Sequence, residues 1–524
     1  MSFVTALLLA VVMGLLLTEN LGYGHIQISR PVFAGPIIGL LMGDLQTGLI
    51  VGGTVEMMFM GVFPVGGSVP PNAQFAGMMS TVLAIASGGN PEVGITLAYP
   101  IGVFAQFILL LDYNVNLLII HRADKQIMNG KTSAVNQNLL LCLLCMFLCW
   151  TLSAFLGIYL GSGWVESIYG GLPVWLRQGL AIAGGIMPAM GMAMLLKMMD
   201  FKKFWSFLMV GYVLTAYLNM NILSIAILST GVAVAIYMLG SKADTSSDSK
   251  MTAAKEVVHV LDKKDFASLN ARSMLSGSCL NYERYLGMGF SYAMYPVLKK
   301  LYKGDELKEA VLRHTEFYNT HPWMNNLILG VTAALEEQRS LGQPISTDAI
   351  SATKAGLMGP TAGFGDSFFK GVVVTITGAF AAGLAIDGNS IAPVVFIVPN
   401  LLVCFLVRYY GTKLGYEYGT KLIIKMRKTN IIQRFVEGST IVGMMVTAGL
   451  ITNYVKFNLT PVFNVSGKEL VLNDLVNSVL PKVLPYALVF VYYYILKKNA
   501  KYGIYITLAC SFALGILGVL CKVL

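Results

Sequence analysis

Residues 30–57 read R-P-V-F-A-G-P-I-I-G-L-L-M-G-D-L-Q-T-G-L-I-V-G-G-T-V-E-M, an apolar run broken by Pro31, Pro36 and repeated glycines, with Arg30, Asp44 and Glu56 as its ionisable groups. Interruption continues through 22–106, where Pro64, Pro70, Pro71, Pro91 and Pro100 follow, and 57–91 carries no charge. Such a sequence predicts broken helices and re-entrant hairpins rather than straight spans. Non-helical backbone at membrane depth survives only where protein or a watery cavity satisfies its polar groups, so the interruptions point to a substrate site.

The rest of the chain agrees on the solvent. Hydrophobic residues make up 56%, charged residues 12%, and mean hydropathy is +0.67, values a soluble globule cannot hide. Uncharged apolar stretches of bilayer length recur at 2–18, 139–165, 178–196, 204–241, 388–408, 438–455 and 502–521. An all-α polytopic membrane protein follows, with no sheet of consequence. The first stretch lacks a basic region before it and a small-residue cleavage site after it, so it reads as a retained helix.

The net charge of +10 could indicate nucleic acid, but its distribution excludes that reading. Residues 241–370 hold 15 basic and 14 acidic side chains, leaving 22 basic against 13 acidic in the apolar remainder, in loops between hydrophobic stretches. This is the positive-inside pattern. Arg408, Lys413, Lys421, Lys425, Arg427, Lys428 and Arg434, with Lys497, Lys498 and Lys501, mark cytoplasmic loops, and Lys197, Lys202 and Lys203 mark another. Most of the seven cysteines lie in apolar stretches; the C-x-x-C of Cys142 and Cys145 has no further ligands nearby, so no metal site or disulfide framework is expected.

Three blocks are visible. Residues 1–240 form an apolar module, 241–254 a polar tether beginning S-K-A-D-T-S-S-D-S-K, and 255–524 a second module, with amphipathic helices over 255–367 and membrane helices over 368–524. The tether looks like a join between two proteins, and Met251 like a former start. G-L-M-G-P-T-A-G-F-G-D (356–366) echoes G-L-L-M-G-D-L-Q-T-G (39–48), which makes an inverted repeat of two helical modules a candidate architecture.

Ionisable groups are costly in a bilayer, so Asp44 and Glu56 are functional candidates; the alternative is that they satisfy broken-helix amides or pair with Arg30. Sugar recognition requires carboxylates, carboxamides and amides converging on hydroxyls. Gln27, Asp44, Thr54, Glu56, Ser68, Asn72 and Gln106 supply such groups in the first block, and His314, Asn319 and Asp366 in the second. His314 and its neighbour His321 could equally cap helix carbonyls. With no phosphate-cradling loop, zinc motif or nucleophile elbow, no catalytic residue, metal or cofactor is assigned.

Long motifs then carry a resemblance to a family. R-P-V-F-A-G-P-I-I-G-L-L-M-G-D-L-Q-T-G (30–48), G-G-T-V-E-M (52–57), P-P-N (70–72) and G-G-I-M-P-A-M-G (184–191) resemble the IIC subunit of the mannose-type bacterial sugar phosphotransferase system. N-Y-E-R (281–284), R-H-T-E-F-Y-N-T-H-P (313–322), L-E-E-Q-R (335–339) and G-L-M-G-P-T-A-G-F-G-D (356–366) resemble its IID subunit. The resemblance implies a multi-pass protein of the bacterial cytoplasmic membrane whose two modules enclose one sugar site. It implies soluble partners IIB and IIA, fed by HPr and enzyme I, with phosphoryl transfer done by IIB rather than by this chain, and a homotrimeric assembly. P-P-N and G-G-I-M-P-A-M-G look more like N-acetylgalactosamine and amino-sugar members than mannose, fructose or sorbose members. F-G-D-S-F-F-K (364–370) departs from the family in lacking a proline after the aspartate. Two other classes compete: an ion-coupled secondary transporter with Asp44 and Glu56 as proton relay, and a non-transporting membrane receptor.

Overall fold

The computed structural model describes residues 1–60, 62, 70–171, 173–199, 201–220, 222–240, 260–428, 431–465, 468–499 and 502–523. Ser68 and the tether lie outside them. Among the described residues five helices are long and apolar enough to cross a membrane: Phe3–Leu21, Pro91–Met128, Ala134–Gly161, Thr347–Ile386 and Ala392–Glu417. A pair bent by 86°, Leu472–Val479 and Val483–Lys498, gives a sixth if it counts as one span. The protein is thus a multi-pass, all-α membrane protein, and one antiparallel hairpin pairs Val462–Val465 with Lys468–Val471.

Helix α1 (Phe3–Leu21) packs along α6 (Ala134–Gly171), which follows α5 (Pro91–Met128). Between α1 and α5 lie three short helices: α2 (Pro31–Leu41), α3 (Leu45–Met58) and α4 (Ala73–Ala86), of 11, 14 and 14 residues. At about 1.5 Å per residue each reaches only about 16–21 Å, short of the roughly 30 Å hydrocarbon layer. The broken helices expected from 30–57 are therefore present. Helices α2 and α3 form a hairpin turned at Gly43, whose φ is +82°. Their backbones touch through Gly35 against Gly52 and Gly39 against Gly48, where an added Cβ would meet the opposite Cα at 2.8 Å. Alanine at either contact would push the pair apart.

Residues 260–345 pack as amphipathic helices: α11 (Lys263–Ser273), α12 (Gly287–Leu301), α13 (Gly304–His314) and α14 (Asn325–Ser340). Helix α13 starts with Asp305 and Glu306 and ends with Arg313 and His314, the charge order a helix dipole favours. Fully buried Glu336 of α14 ties this block together. It accepts two bonds from Arg313, at 2.8 and 2.9 Å, one from His314 Nε2 at 2.8 Å and one from the Tyr302 hydroxyl at 2.7 Å. The adjoining Glu337 accepts the Val260 and Leu261 amides and the Tyr416 hydroxyl. That last contact and the long α14 packing on Ala392–Lys428 fasten the block to a membrane helix.

The G-L-M-G-P-T-A-G-F-G-D segment does not interrupt the helix that carries it, despite its glycines and Pro360. Instead of breaking, α15 (Thr347–Gly365) carries Pro360 inside it, widens into a π-helical stretch at Asp366–Val374, and continues as α16 (Thr375–Ile386). The π register begins at Asp366, and π turns inside α-helices frequently mark functional sites.

Basic residues flank several helix ends: Arg122, Lys125 and Lys131 stand around the α5–α6 turn, Lys197 and Lys202 around the break between Pro188–Met198 and Phe201–Ala216, and Lys497 at the end of Val483–Lys498.

Glu336 makes acid sensitivity of this block testable. Burial pushes its pKa up, but the bonds and charges of His314 and Arg313 outweigh burial and hold it at about 2, below the ordinary 4.5. Its stabilisation is therefore complete above about pH 4.5 and is lost as pH falls toward 2. His314 is pushed below its ordinary 6.5, mainly by burial, so the unfolded chain gains a proton first and acid destabilises there as well. E336Q should lower neutral-pH stability by about 3–5 kcal/mol, since Arg313 stays buried without its partner. It should also flatten the decline between pH 4.5 and 3 in thermal unfolding of detergent-solubilised protein; an unchanged acid slope in E336Q would remove Glu336 as its source.

Candidate functional site

Where the short helices of the first half stop, their polar ends meet the second half. Helix α2 begins at Arg30 and α4 at Asn72, so two positive helix ends open at the same place. Between them and the second half lies a cavity of about 220 Å³, below the roughly 300 Å³ floor of drug-sized pockets and suited to one small molecule. The first half contributes His25, Gln27, Arg30 and Asn72; the second contributes Tyr282, Asn319, Asp366 and Lys370.

The side chains are constrained differently. Asn72 Oδ1 accepts the Phe75 amide at 2.8 Å and caps α4, while its Nδ2 makes no hydrogen bond among the described residues and is left as a donor. Arg30 donates from Nε to Glu56 at 3.0 Å and pairs with it through Nη2, and the other Glu56 oxygen lies 3.4 Å from the Val32 amide. Asp366 and Lys370 pair at 3.1 Å on the π-helical stretch and remain partly open, their side chains 40% and 20% exposed. His25 and His321 face each other edge to face at 6.4 Å between ring centres. His25 lines the cavity, and His321, which is not among its lining residues, backs it.

The second half grips the loop that presents His25 and Gln27. Trp323 Nε1 donates to the His25 carbonyl at 2.9 Å, Arg408 Nη2 to the Gly24 carbonyl at 2.9 Å, and Ser278 Oγ to the Gly22 carbonyl at 2.6 Å. Gly24 N donates in turn to the Met274 carbonyl at 2.7 Å.

Of the residues expected from the sequence, Gln27, Asn72, Asn319 and Asp366 come together on this cavity. Glu56 stands behind it, fully buried, as the partner of Arg30. Asp44 is elsewhere: it caps α3, accepting the Thr47 amide at 2.9 Å and the Thr47 hydroxyl at 2.6 Å. Thr54 bonds its own helix at Ile50 and borders a separate cleft near Glu92 and Lys456. Gln106 is part-buried on α5 and does not line the cavity. His314 is fully buried against Glu336, away from it, because an imidazole at a helix end met a buried carboxylate first. A larger cleft of about 810 Å³ lies around Asn219, Asp387, Tyr454 and Lys482, but none of the motif residues reaches it. Sequence reasoning missed His25, Lys370 and Tyr282 as cavity residues, although Y-E-R and D-S-F-F-K contained the last two.

The family comparisons cover nearly all of the chain. Residues 3–237 match the family described as PTS system sorbose-specific iic component, and residues 260–524 the PTS system mannose/fructose/sorbose family IID component. The second half is 36% identical over 266 residues to the fructose permease IID component of Bacillus subtilis (strain 168), covering 49% of this chain and 95% of that protein. It is 34% identical over 271 residues to the mannose-specific EIID component of Escherichia coli (strain K12), again 49% of this chain and 95% of that protein. The first half is 34% identical over 206 residues to the N-acetylgalactosamine permease IIC component 1 of the same strain, covering 39% of this chain and 77% of that protein. A cavity closed by both halves thus belongs to a chain in which both halves have relatives of their own: this protein is a sugar permease component of the mannose/fructose/sorbose family of the phosphotransferase system, with IIC and IID parts in one polypeptide.

Proposed function

We propose that the cavity between the halves binds one sugar, that the protein carries it across the bacterial cytoplasmic membrane, and that a soluble IIB partner phosphorylates it at the cytoplasmic face. The observation that carries this reading is the convergence of Gln27, Asn72, Asn319 and Asp366, two residues from each half, on one cavity. A sugar hydroxyl leaving water needs replacement hydrogen bonds, and carboxamides offer both donors and acceptors.

An N-acetylated hexosamine is the favoured substrate. Because Asn72 Oδ1 is committed to the Phe75 amide, its available group is the Nδ2 donor, which suits a carbonyl acceptor such as an N-acetyl oxygen. The N-acetylgalactosamine relative of the first half agrees with this choice. An ion-coupled mechanism would need Asp44 and Glu56 as a proton relay, yet Asp44 is occupied as a helix cap and Glu56 by Arg30.

Two outcomes are expected. N72D retains an oxygen for the α4 cap and loses the donor, so it should weaken N-acetylhexosamine binding about tenfold or more, whereas T54A should leave affinity unchanged; equal affinity in N72D and wild type would move the site elsewhere. In a thermal screen of the purified protein, an N-acetylhexosamine at 100 times its Kd should stabilise by about 2.7 kcal/mol, and mannose less. In vesicles, uptake should require IIB and phosphoenolpyruvate and survive collapse of the proton gradient; the reverse dependence would favour ion coupling.

A further inference from the structure

Segment 22–30 is held in a backbone shape its residues would not choose. His25 and Gln27, both on the cavity wall, have φ of +52° and +75°, left-handed values that side chains with a Cβ avoid. Conformations of this kind persist only where their surroundings over-determine them. Part of that determination is the second-half grip of Trp323, Arg408, Ser278 and Met274. The rest comes from Glu19, at the end of α1 and fully buried. Its Oε1 accepts the Gln27 amide at 2.9 Å and its Oε2 the Ser29 amide at 3.2 Å. Among the described residues Glu19 forms no ion pair, so its two oxygens are spent on this loop.

We propose that Glu19 is a positioning residue for the sugar site: it does not touch the ligand, but its carboxylate fixes the left-handed loop that holds the Gln27 carboxamide on the cavity wall. The inference rests on the cavity being the sugar site. Glu19 works with Trp323, one from each half, so that the loop is set only when both halves are docked. A glutamine at position 19 has one acceptor oxygen, leaving either the Gln27 or the Ser29 amide without its partner. The loop is then free to relax toward negative φ, taking Gln27 off the wall.

A double-mutant cycle on the full-length purified protein tests this, with N-acetylhexosamine affinity as the readout and thermal unfolding as the folding control. E19Q should weaken binding about tenfold in the wild-type background. In a Q27G background it should add less than about twofold, because glycine takes positive φ freely and no carboxamide remains to be placed. W323F, which keeps the ring and removes the Nε1 donor, should show the same dependence on residue 27 and carries the test if E19Q does not fold. Equal losses in both backgrounds, or no loss from E19Q and W323F, would overturn the positioning role. If Q27G itself binds as tightly as wild type, the cavity reading fails and takes the positioning role with it.

Discussion

A helix that starts among buried residues leaves its first N–H groups in need of partners, and α2 and α4 both start that way, at Arg30 and Asn72. Each start is closed by a side chain. Asn72 caps α4 through Phe75 N, and Glu56 holds Arg30 and approaches Val32 N at the head of α2. Glu19 does the same for the loop leading into α2, through Gln27 N and Ser29 N. Removing any of the three leaves a polar group buried without a partner, a cost of about 1–3 kcal/mol for a neutral group and more for a charge. The cavity is the space left between these closed ends and the second half, so the same bonds that make broken helices tolerable also make the wall polar.

The second half supplies closure. Its π-helical stretch turns Asp366 and Lys370 toward the cavity, and its amphipathic block presents Tyr282 and Asn319. That block is rigid for its own reason, the Arg313, His314 and Tyr302 bonds to Glu336. Rigidity there carries over to the T-H-P-W segment, because His321 accepts from Trp323 N, and Trp323 reaches His25 in the other half. The halves are thus joined through the cavity-facing loop itself.

Fold class and the broken character of 30–57 were legible because composition and proline spacing are local properties. Gln27, Asn72, Asn319 and Asp366 were legible as residues that line the cavity, because polar groups are rare in such sequence. What failed was separating a capping role from a ligand role. Asp44 and Thr54 lie on the same glycine-rich helix as Glu56, but Asp44 is fourteen positions from its far end and caps there, a distinction of depth that residue type does not carry. His314 failed for a tertiary reason: its partner Glu336 is 22 residues away, on another helix. The continuity of α15 into α16 through Pro360 also lay beyond local rules, which treat glycine and proline as breakers.

The charges on the wall bear on what can leave the cavity. Arg30 is paired with Glu56 and Lys370 with Asp366. A neutral sugar meets dipoles and balanced pairs, where its hydroxyls can exchange water for carboxamides at little cost. On the proposed reading, phosphorylation adds about two negative charges to a ligand for which, among the described residues, the wall's two cations, Arg30 and Lys370, are already paired. Balanced pairs therefore make the site permissive for the substrate and poor for the product, so modification of the sugar would both trap it and empty the cavity for the next cycle.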